Sequence, residues 1–278
     1  MDSASLNQLP FFATDPVVRL EPLTGLSHRN WRAITTAKQA FFVREYQAKP
    51  LQLSRYKELK CQLRAAAAGF APVPLYYDAG KGILITQFLE RATHFQYSPE
   101  CVAPLVTALA AFHQFPVKTA QLDSLLYLQQ LKAAIAPAVF FDEVLFCQLQ
   151  QAAAAHAALE QDMVLCHRDL TTENILSEQQ QLYFIDFEYV CRADASFDLA
   201  TLCLHNQLSQ HEETELLQNY RAVRGLGGNT DVSMRKLQLA KIIYSGWCWL
   251  WYLMMPGYTA KADHWRQQLQ QQLLLYFP

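Results

Sequence analysis

Met163–Leu199 reads M-V-L-C-H-R-D-L-T-T-E-N-I-L-S-E-Q-Q-Q-L-Y-F-I-D-F-E-Y-V-C-R-A-D-A-S-F-D-L. Its apolar runs, Met163–Cys166, Ile175–Leu176 and Leu182–Ile185, are short enough for buried strands rather than helices. The outer two lead into Asp169 and Asp186, with Asn174 between them and a turn at Glu178–Gln181. This pattern predicts two carboxylates and an amide presented at strand ends on one edge of a small sheet. Hard oxygen donors of this kind suit Mg²⁺, which keeps several waters and takes its remaining ligands from substrate phosphates.

Around that stretch lies a chain of 278 residues, 51% hydrophobic and 17% charged. Such a chain has room for one large domain or two lobes with ample core. The formal net charge is −2, and no dense Lys/Arg run supplies the basic footprint that nucleic-acid binding needs. The seven cysteines are scattered, without C-x-x-C pairs or zinc spacing. They fit a reducing cytoplasm better than a disulfide framework. The N-terminal M-D-S-A-S-L-N-Q lacks the basic region of a secretory signal. Ile242–Ala260 carries no charged residue, but Ser245, Gly246 and Pro256-Gly257 shorten its apolar run below spanning length. It reads as a buried helix, and no membrane partner is expected.

In chain order, Val17–Leu23, Trp31–Thr35 and Phe41–Tyr46 read as strands. The loop T-G-L-S-H-R-N between the first two has a single glycine, Gly25. It could fold over phosphates through backbone N–H groups or be an ordinary surface turn. Arg44 ends the run F-F-V-R and is either a solvated strand charge or a cation for nucleotide phosphates. The next helix starts near the N-cap Ser54 and ends before Gly69. Glu58, in its first turns, either pairs with Arg44 or simply favours the helix N-terminus. Val73–Asp78 and Ile83–Gln87 form a hairpin across A-G-K-G. The connector Q-F-L-E then joins an N-terminal portion (1–88) to a mostly helical remainder (89–278). Helices are expected over Ala103–His113, Asp123–Ile135, Asp142–Leu159, Phe197–Asn206, Glu212–Val223, Ser233–Leu253 and Lys261–Leu275. His113 and His156 read as packing or surface histidines.

Together, C-H-R-D-L-T-T-E-N-I-L, I-D-F-E-Y and F-D-L-A resemble the aminoglycoside phosphotransferase and choline kinase superfamily. The I-D-F-E-Y form and the Trp-rich segment Trp247–Tyr252 are most similar to choline, ethanolamine and bacterial thiamine kinases. The resemblance covers nearly the whole chain. It implies an α+β, protein-kinase-like fold of two lobes, with a small β-rich N-terminal lobe and a larger helical one. It implies ATP and Mg²⁺ as cofactors and a small-molecule acceptor. Carried over by position, it implies Asp169 as catalytic base, Asn174 and Asp186 as Mg²⁺ ligands, and Arg44 with Glu58 as nucleotide clamp. Gln87, Phe88 and Leu89 become the hinge that holds adenine, and Gly25 lies in the phosphate loop. Two departures stand out: that loop is poor in glycine, and D-F is followed by Glu188. Eleven residues separate Asp186 from Asp198, too few for an activation loop and peptide docking, so protein phosphorylation does not fit.

Phosphoryl transfer asks mainly for alignment and charge neutralisation. Asp169 would orient the acceptor hydroxyl and take its proton. His167 reads as a structural residue and Asp198 as a brace for the catalytic loop or a helix N-cap. Glu188, Asp194 and the group Trp247, Trp249 and Trp251 could hold a cationic alcohol by charge and cation–π contact. Tryptophans at alternate helical positions cannot all face one way, so at least one belongs to core or surface. The expected activity is γ-phosphoryl transfer to a choline-, ethanolamine- or thiamine-class alcohol. The rivals are an aminoglycoside-type phosphotransferase and a nucleotide-binding pseudokinase without turnover.

Overall fold

Why the N-terminal strands form a sheet is written in their alternation, and the structure, a computed structural model, bears this out. It describes residues 1–25, 28–47, 54–179 and 181–276. Leu26 and Ser27 of the expected loop, Gln180 of the expected turn and Phe277 after the last helix lie outside the described residues. The chain divides into two compact units, Met1–Thr93 with Leu176–Phe187, and His94–Ile175 with Glu188–Pro278. The segment Leu176–Phe187, which the sequence reading puts after residue 88, belongs with the first unit.

In the first unit α1 (Ser3–Leu6) precedes β1 (Val17–Leu23), β2 (Arg29–Thr35) and β3 (Ala40–Glu45). Then come α2 (Arg55–Ala67), β4 (Pro74–Asp78) and β5 (Ile83–Gln87). The five strands form an antiparallel sheet in the order β1-β2-β3-β5-β4. With a side-chain period of two, Trp31, Ala33, Val43, Ile83 and Ile85 join one core cluster. That cluster is completed by Leu6, Leu9 and Phe12 from the N-terminal segment. Each large apolar side chain so buried contributes about 1.5–3 kcal/mol. Arg44, one residue beyond Val43, turns to the opposite face. The Ser54 hydroxyl caps α2 by accepting from Lys57 N at 3.3 Å, and Gly69, at φ +82°, takes the left-handed conformation that follows the helix.

β6 (Thr93–His94), β8 (Ile175–Glu178) and β9 (Gln181–Phe184) make a three-stranded sheet. Phe184 N donates to Phe70 O at 2.7 Å and Gln181 Nε2 to Gly69 O at 3.0 Å, which ties the β9 segment to the end of α2. β7 (Met163–Cys166) pairs instead with β10 (Cys191–Asp194), Cys166 opposite Cys191 and Met163 opposite Asp194. This corrects the expectation of one small sheet presenting Asp169 and Asp186 on a common edge. β10 escapes a sequence reading because four residues, two of them charged, carry no usable alternation.

The helices of the second unit are α3 (Val102–His113), α4 (Ser124–Ala133), α5 (Glu143–Ala157), α6 (Ser196–His205), α7 (Gln210–Arg224), α8 (Thr230–Met254) and α9 (Thr259–Tyr276). The Asp123 and Asp142 side chains cap α4 and α5. α8 packs against α4, α5, α6, α7 and α9, and its residues Leu239–Trp247 are all buried. A Cβ on Gly246 would sit 3.0 Å from Leu149 Cγ and closer still to its methyl carbons, so glycine lets α5 and α8 approach. Among the described residues no helix is long and apolar enough to cross a membrane.

Candidate active site

The first unit holds a buried ion cluster. From β3 the Arg44 guanidinium grips Asp186 with two bonds, Nη1 to Oδ1 at 2.8 Å and Nη2 to Oδ2 at 3.3 Å. Nη1 also reaches Glu58 Oε1 at 3.5 Å, and Nε donates to Asn30 Oδ1 at 3.3 Å. Glu58, on α2, is 1% exposed and accepts further from the Tyr46 hydroxyl at 3.0 Å and Arg55 at 3.0 Å. Burial works to lower the Arg44 pKa, but the charges of Asp186 and Glu58 outweigh it and hold the guanidinium above its ordinary value. Burial, opposed by Arg44, pushes the Glu58 carboxyl up. The expected Arg44–Glu58 pair is therefore present as the longer arm of a three-residue cluster, with Asp186 the nearer partner. A fork matched to a carboxylate in this way is also the shape that grips phosphate.

Gly25 reaches the same cluster indirectly. A Cβ there would lie 2.5 Å from Asn30 Nδ2 and 3.0 Å from His28 O, so the glycine makes room for the amide that holds Arg44. Sequence reasoning missed Asn30, whose only signal is that it faces Arg44 across the β2–β3 ladder. At the expected hinge, Gln87 N already donates to Val73 O at 2.9 Å, Leu89 O accepts from Ala92 N at 3.3 Å, and Phe88 lies beneath the Arg32 guanidinium at 4.9 Å.

The second unit holds the other group. After β7 the chain turns at Arg168, whose φ of +67° is unusual for a residue with a side chain. Asp198 at the start of α6 supports this turn. Its carboxylate accepts from His167 N at 2.8 Å, Arg168 N at 2.6 Å and His113 Nε2 at 3.0 Å. Asp198 is fully buried, which would raise its pKa, but the hydrogen bond and charge of His113 help to hold it below the ordinary range. It is thus a brace. His113 is more than a packing residue, since its Nδ1 bonds the Tyr220 hydroxyl at 2.6 Å. The His113, Cys166 and Asp198 ligand atoms lie within 4.8 Å of one another. The three donors on Asp198 account for that cluster without a metal. His167 packs its ring near Phe112, 6.2 Å between centroids.

Beyond the turn, Asp169 is held at both carboxylate oxygens. Asn174 Nδ2 donates to Oδ2 at 2.9 Å and also to the Asp169 carbonyl at 2.9 Å. The Tyr244 hydroxyl donates to Oδ1 at 3.4 Å. Tyr244, in turn, is 3.0 Å from His205 Nε2. Neither Tyr244 nor His205 has a local signal: one sits inside an apolar helix and the other ends α6.

The expected acceptor group separates. The Trp247 face is filled by the Arg168 guanidinium at 4.4 Å, which also lies 4.5 Å from the Tyr127 ring. Trp249 is 2% exposed and stacks on Phe141 at 5.4 Å. These two are packing residues, because an internal cation and a neighbouring ring already cover them. Trp251 is half-buried, edge-on to Tyr252 at 5.0 Å. Glu188 is buried in a 3-10 turn, Phe187–Tyr189. Asp194 is committed to structure: it accepts from Asp162 N, Ser196 N and Lys236 Nζ at 2.7–2.9 Å. His156 is buried beside it, bonded to Ser196 Oγ at 2.9 Å.

Comparison with known proteins bears on the family and the fold. A family model described as phosphotransferase enzyme family matches residues 19–236. Protein LicA of Haemophilus influenzae is 39% identical over 64 residues, which is 22% of this chain and 19% of that protein. The chain thus spans about a fifth of the length of the curated relatives it matches. The crystal structure of choline kinase LicA from Streptococcus pneumoniae superposes with a TM-score of 0.84 at 19% identity, over 98% of this chain and 99% of that one. A choline/ethanolamine kinase family protein from Mesorhizobium loti superposes with 0.80 at 20% identity, over 98% and 93%. The expected kinase-like fold, an antiparallel sheet followed by a mainly helical part, is the fold found. With its family's model spanning most of its length, this chain belongs to the phosphotransferase enzyme family.

Proposed function

We propose that the chain is a kinase that uses ATP and Mg²⁺ to phosphorylate the hydroxyl of a small cationic alcohol of the choline, ethanolamine or thiamine class, in the cytoplasm. The observation that carries this reading is the Asp169 carboxylate, held in place by a donor on each oxygen, Asn174 Nδ2 and the Tyr244 hydroxyl. Asp169 would accept the proton of the acceptor hydroxyl as the oxygen attacks the γ-phosphorus. Arg44 would supply positive charge to the phosphates, steadied by Asn30 and Glu58. At the hinge Gln87–Leu89 the backbone of Phe88 and Leu89 would hold the base, since Gln87 N is given to Val73 O. That a LicA structure has been solved in complex with AMP supports a nucleotide as donor.

The oxygen donors fit a magnesium ion. Asn174 turns its Nδ2 to Asp169, which leaves its amide oxygen directed away as an acceptor. Asp186 offers a carboxylate that already attracts a cation. Asn174 and Asp186 would hold the ion, and when bound it would neutralise charge on the triphosphate. For the acceptor, Glu188 and Trp251 are the remaining candidates for charge and cation–π recognition, since Trp247 and Trp249 are occupied.

A coupled ADP-release assay with ATP/Mg²⁺ and choline, ethanolamine, thiamine or kanamycin tests the reading. We expect turnover with one of the first three and poor use of 3,3-dimethylbutanol, the uncharged shape of choline. Asp169→Asn should lower kcat by roughly 10²–10⁴ with ATP affinity little changed. Asp186→Ala should remove Mg²⁺-dependent turnover while circular dichroism stays native. Selective use of kanamycin, or nucleotide binding without turnover, would replace this reading with an aminoglycoside phosphotransferase or a pseudokinase.

A further inference from the structure

Tyr244 lies in the middle of α8, 75 residues from Asp169 in sequence, yet its hydroxyl donates to Asp169 Oδ1 at 3.4 Å. It is 4% exposed and packed among His205, Trp247 and Trp265, ring centroids at 5.7, 6.4 and 5.9 Å. A hydroxyl has one proton to give. If that proton goes to the carboxylate, the 3.0 Å contact with His205 Nε2 needs the imidazole to be the donor. Three groups then form a directional chain, from His205 Nε2–H to the Tyr244 oxygen and from the Tyr244 O–H to Asp169.

The protonation of both outer groups is compatible with this chain. Burial lowers the His205 pKa to about 4, so near neutral pH the ring is uncharged and has a single N–H to place. Burial, then the nearby Cys248 thiol and Asp169, raise the Tyr244 pKa, so the phenol keeps its proton. On the other oxygen, Asn174 Nδ2 holds Asp169 from within its own loop. Donors on both oxygens hold its plane.

We infer that Tyr244, supported by His205, is a positioning residue that fixes the plane of the Asp169 carboxylate for the acceptor hydroxyl. This deepens, and rests on, the reading of Asp169 as the base. Its effect belongs in the chemical step, because substrate can bind whichever way the carboxylate is turned. Small misplacement of a reacting group is costly, so Tyr244→Phe, which removes one oxygen and keeps the ring, should lower kcat about tenfold.

The experiment compares kcat and KM for wild type, Tyr244→Phe, His205→Leu and His205→Gln, with melting temperatures alongside. The acceptor is whichever of choline, ethanolamine or thiamine the wild type uses fastest. If none is used, slow hydrolysis of ATP, with water as acceptor, carries the same comparison. We expect Tyr244→Phe and His205→Leu to lose kcat with KM for ATP and acceptor within about twofold. His205→Gln, which keeps an N–H donor, should recover most of it. A folded Tyr244→Phe with wild-type kcat overturns the inference, as does a loss confined to the acceptor KM, which would make Tyr244 a substrate contact. If Tyr244→Phe does not fold, the His205→Leu and His205→Gln pair decides: equal kcat for the two refutes it. Asp169→Asn separates the two claims. Full turnover there sinks the base itself, whereas lost turnover with an indifferent Tyr244→Phe sinks only the positioning.

Discussion

Replacing Asp198 by Asn removes one charge and one acceptor from the most heavily used carboxylate in the second unit. Oδ1 accepts from Arg168 N, and Oδ2 from His167 N and His113 Nε2. Whichever oxygen becomes an NH₂ group, an N–H donor is left facing another N–H in a fully buried position. A hydrogen bond to a charged group contributes about 1.5–3 kcal/mol, and a stranded buried donor costs a further 1–3 kcal/mol. We therefore expect a loss of roughly 3–5 kcal/mol, in the range seen when a buried charge pair is broken. The turn carries its own strain, since Arg168 sits at φ +67°, a conformation costing of order 1–3 kcal/mol that persists only where its surroundings enforce it. Without both N–H bonds the peptide can relax, and Asp169 moves with it.

Urea unfolding followed by tryptophan fluorescence reads the stability. Four of the five tryptophans, Trp247, Trp249, Trp251 and Trp265, lie in the second unit, so the signal reports mainly on the part that Asp198 braces. With a slope of about 3 kcal/mol per molar urea, the midpoint should fall by about 1–1.7 M. Turnover should drop in protein that is still folded. A midpoint within about 0.2 M of wild type, with native turnover, would refute the bracing argument.

Two other outcomes follow from packing and titration. Gly246→Ala gains about 1 kcal/mol in helix propensity but drives a methyl into Leu149, where overpacking costs about 1–3 kcal/mol. It should destabilise the fold in urea, and a double-mutant cycle with Leu149→Ala should show the pair less damaging than the sum; additivity would argue against the clash. His156 is held neutral by burial, its pKa lowered from 6.5 to about 4. Its neutral state is compatible with the fold above pH 6.5, and stability is lost as pH falls from 6.5 towards 4 because the unfolded chain takes up the proton first. The loss is at most about 3 kcal/mol. His156→Gln should flatten this acid limb of the stability profile, and an unchanged profile would clear His156.

The sequence by itself determined most of the helices and strands, though not β10, together with the family to which they belong. Helix caps such as Ser54, Asp123 and Asp142 act within three residues, and strand alternation acts between neighbours, so both are written locally. For the same reason the loop from His167 to Asn174 and the acidic Asp186 stood out, as did a family resemblance that the fold bears out. Tertiary structure alone decided which side chains meet. Arg44 joins Asp186 across 142 residues, His113 joins Asp198 across 85, and Tyr244 joins Asp169 across 75. It gave the face of Trp247 to Arg168, where an apolar, aromatic-rich helix had suggested a ligand. Such pairings are absent from any local pattern, because a buried polar group is tolerated only if another arrives to meet it, and which one arrives depends on how distant segments pack.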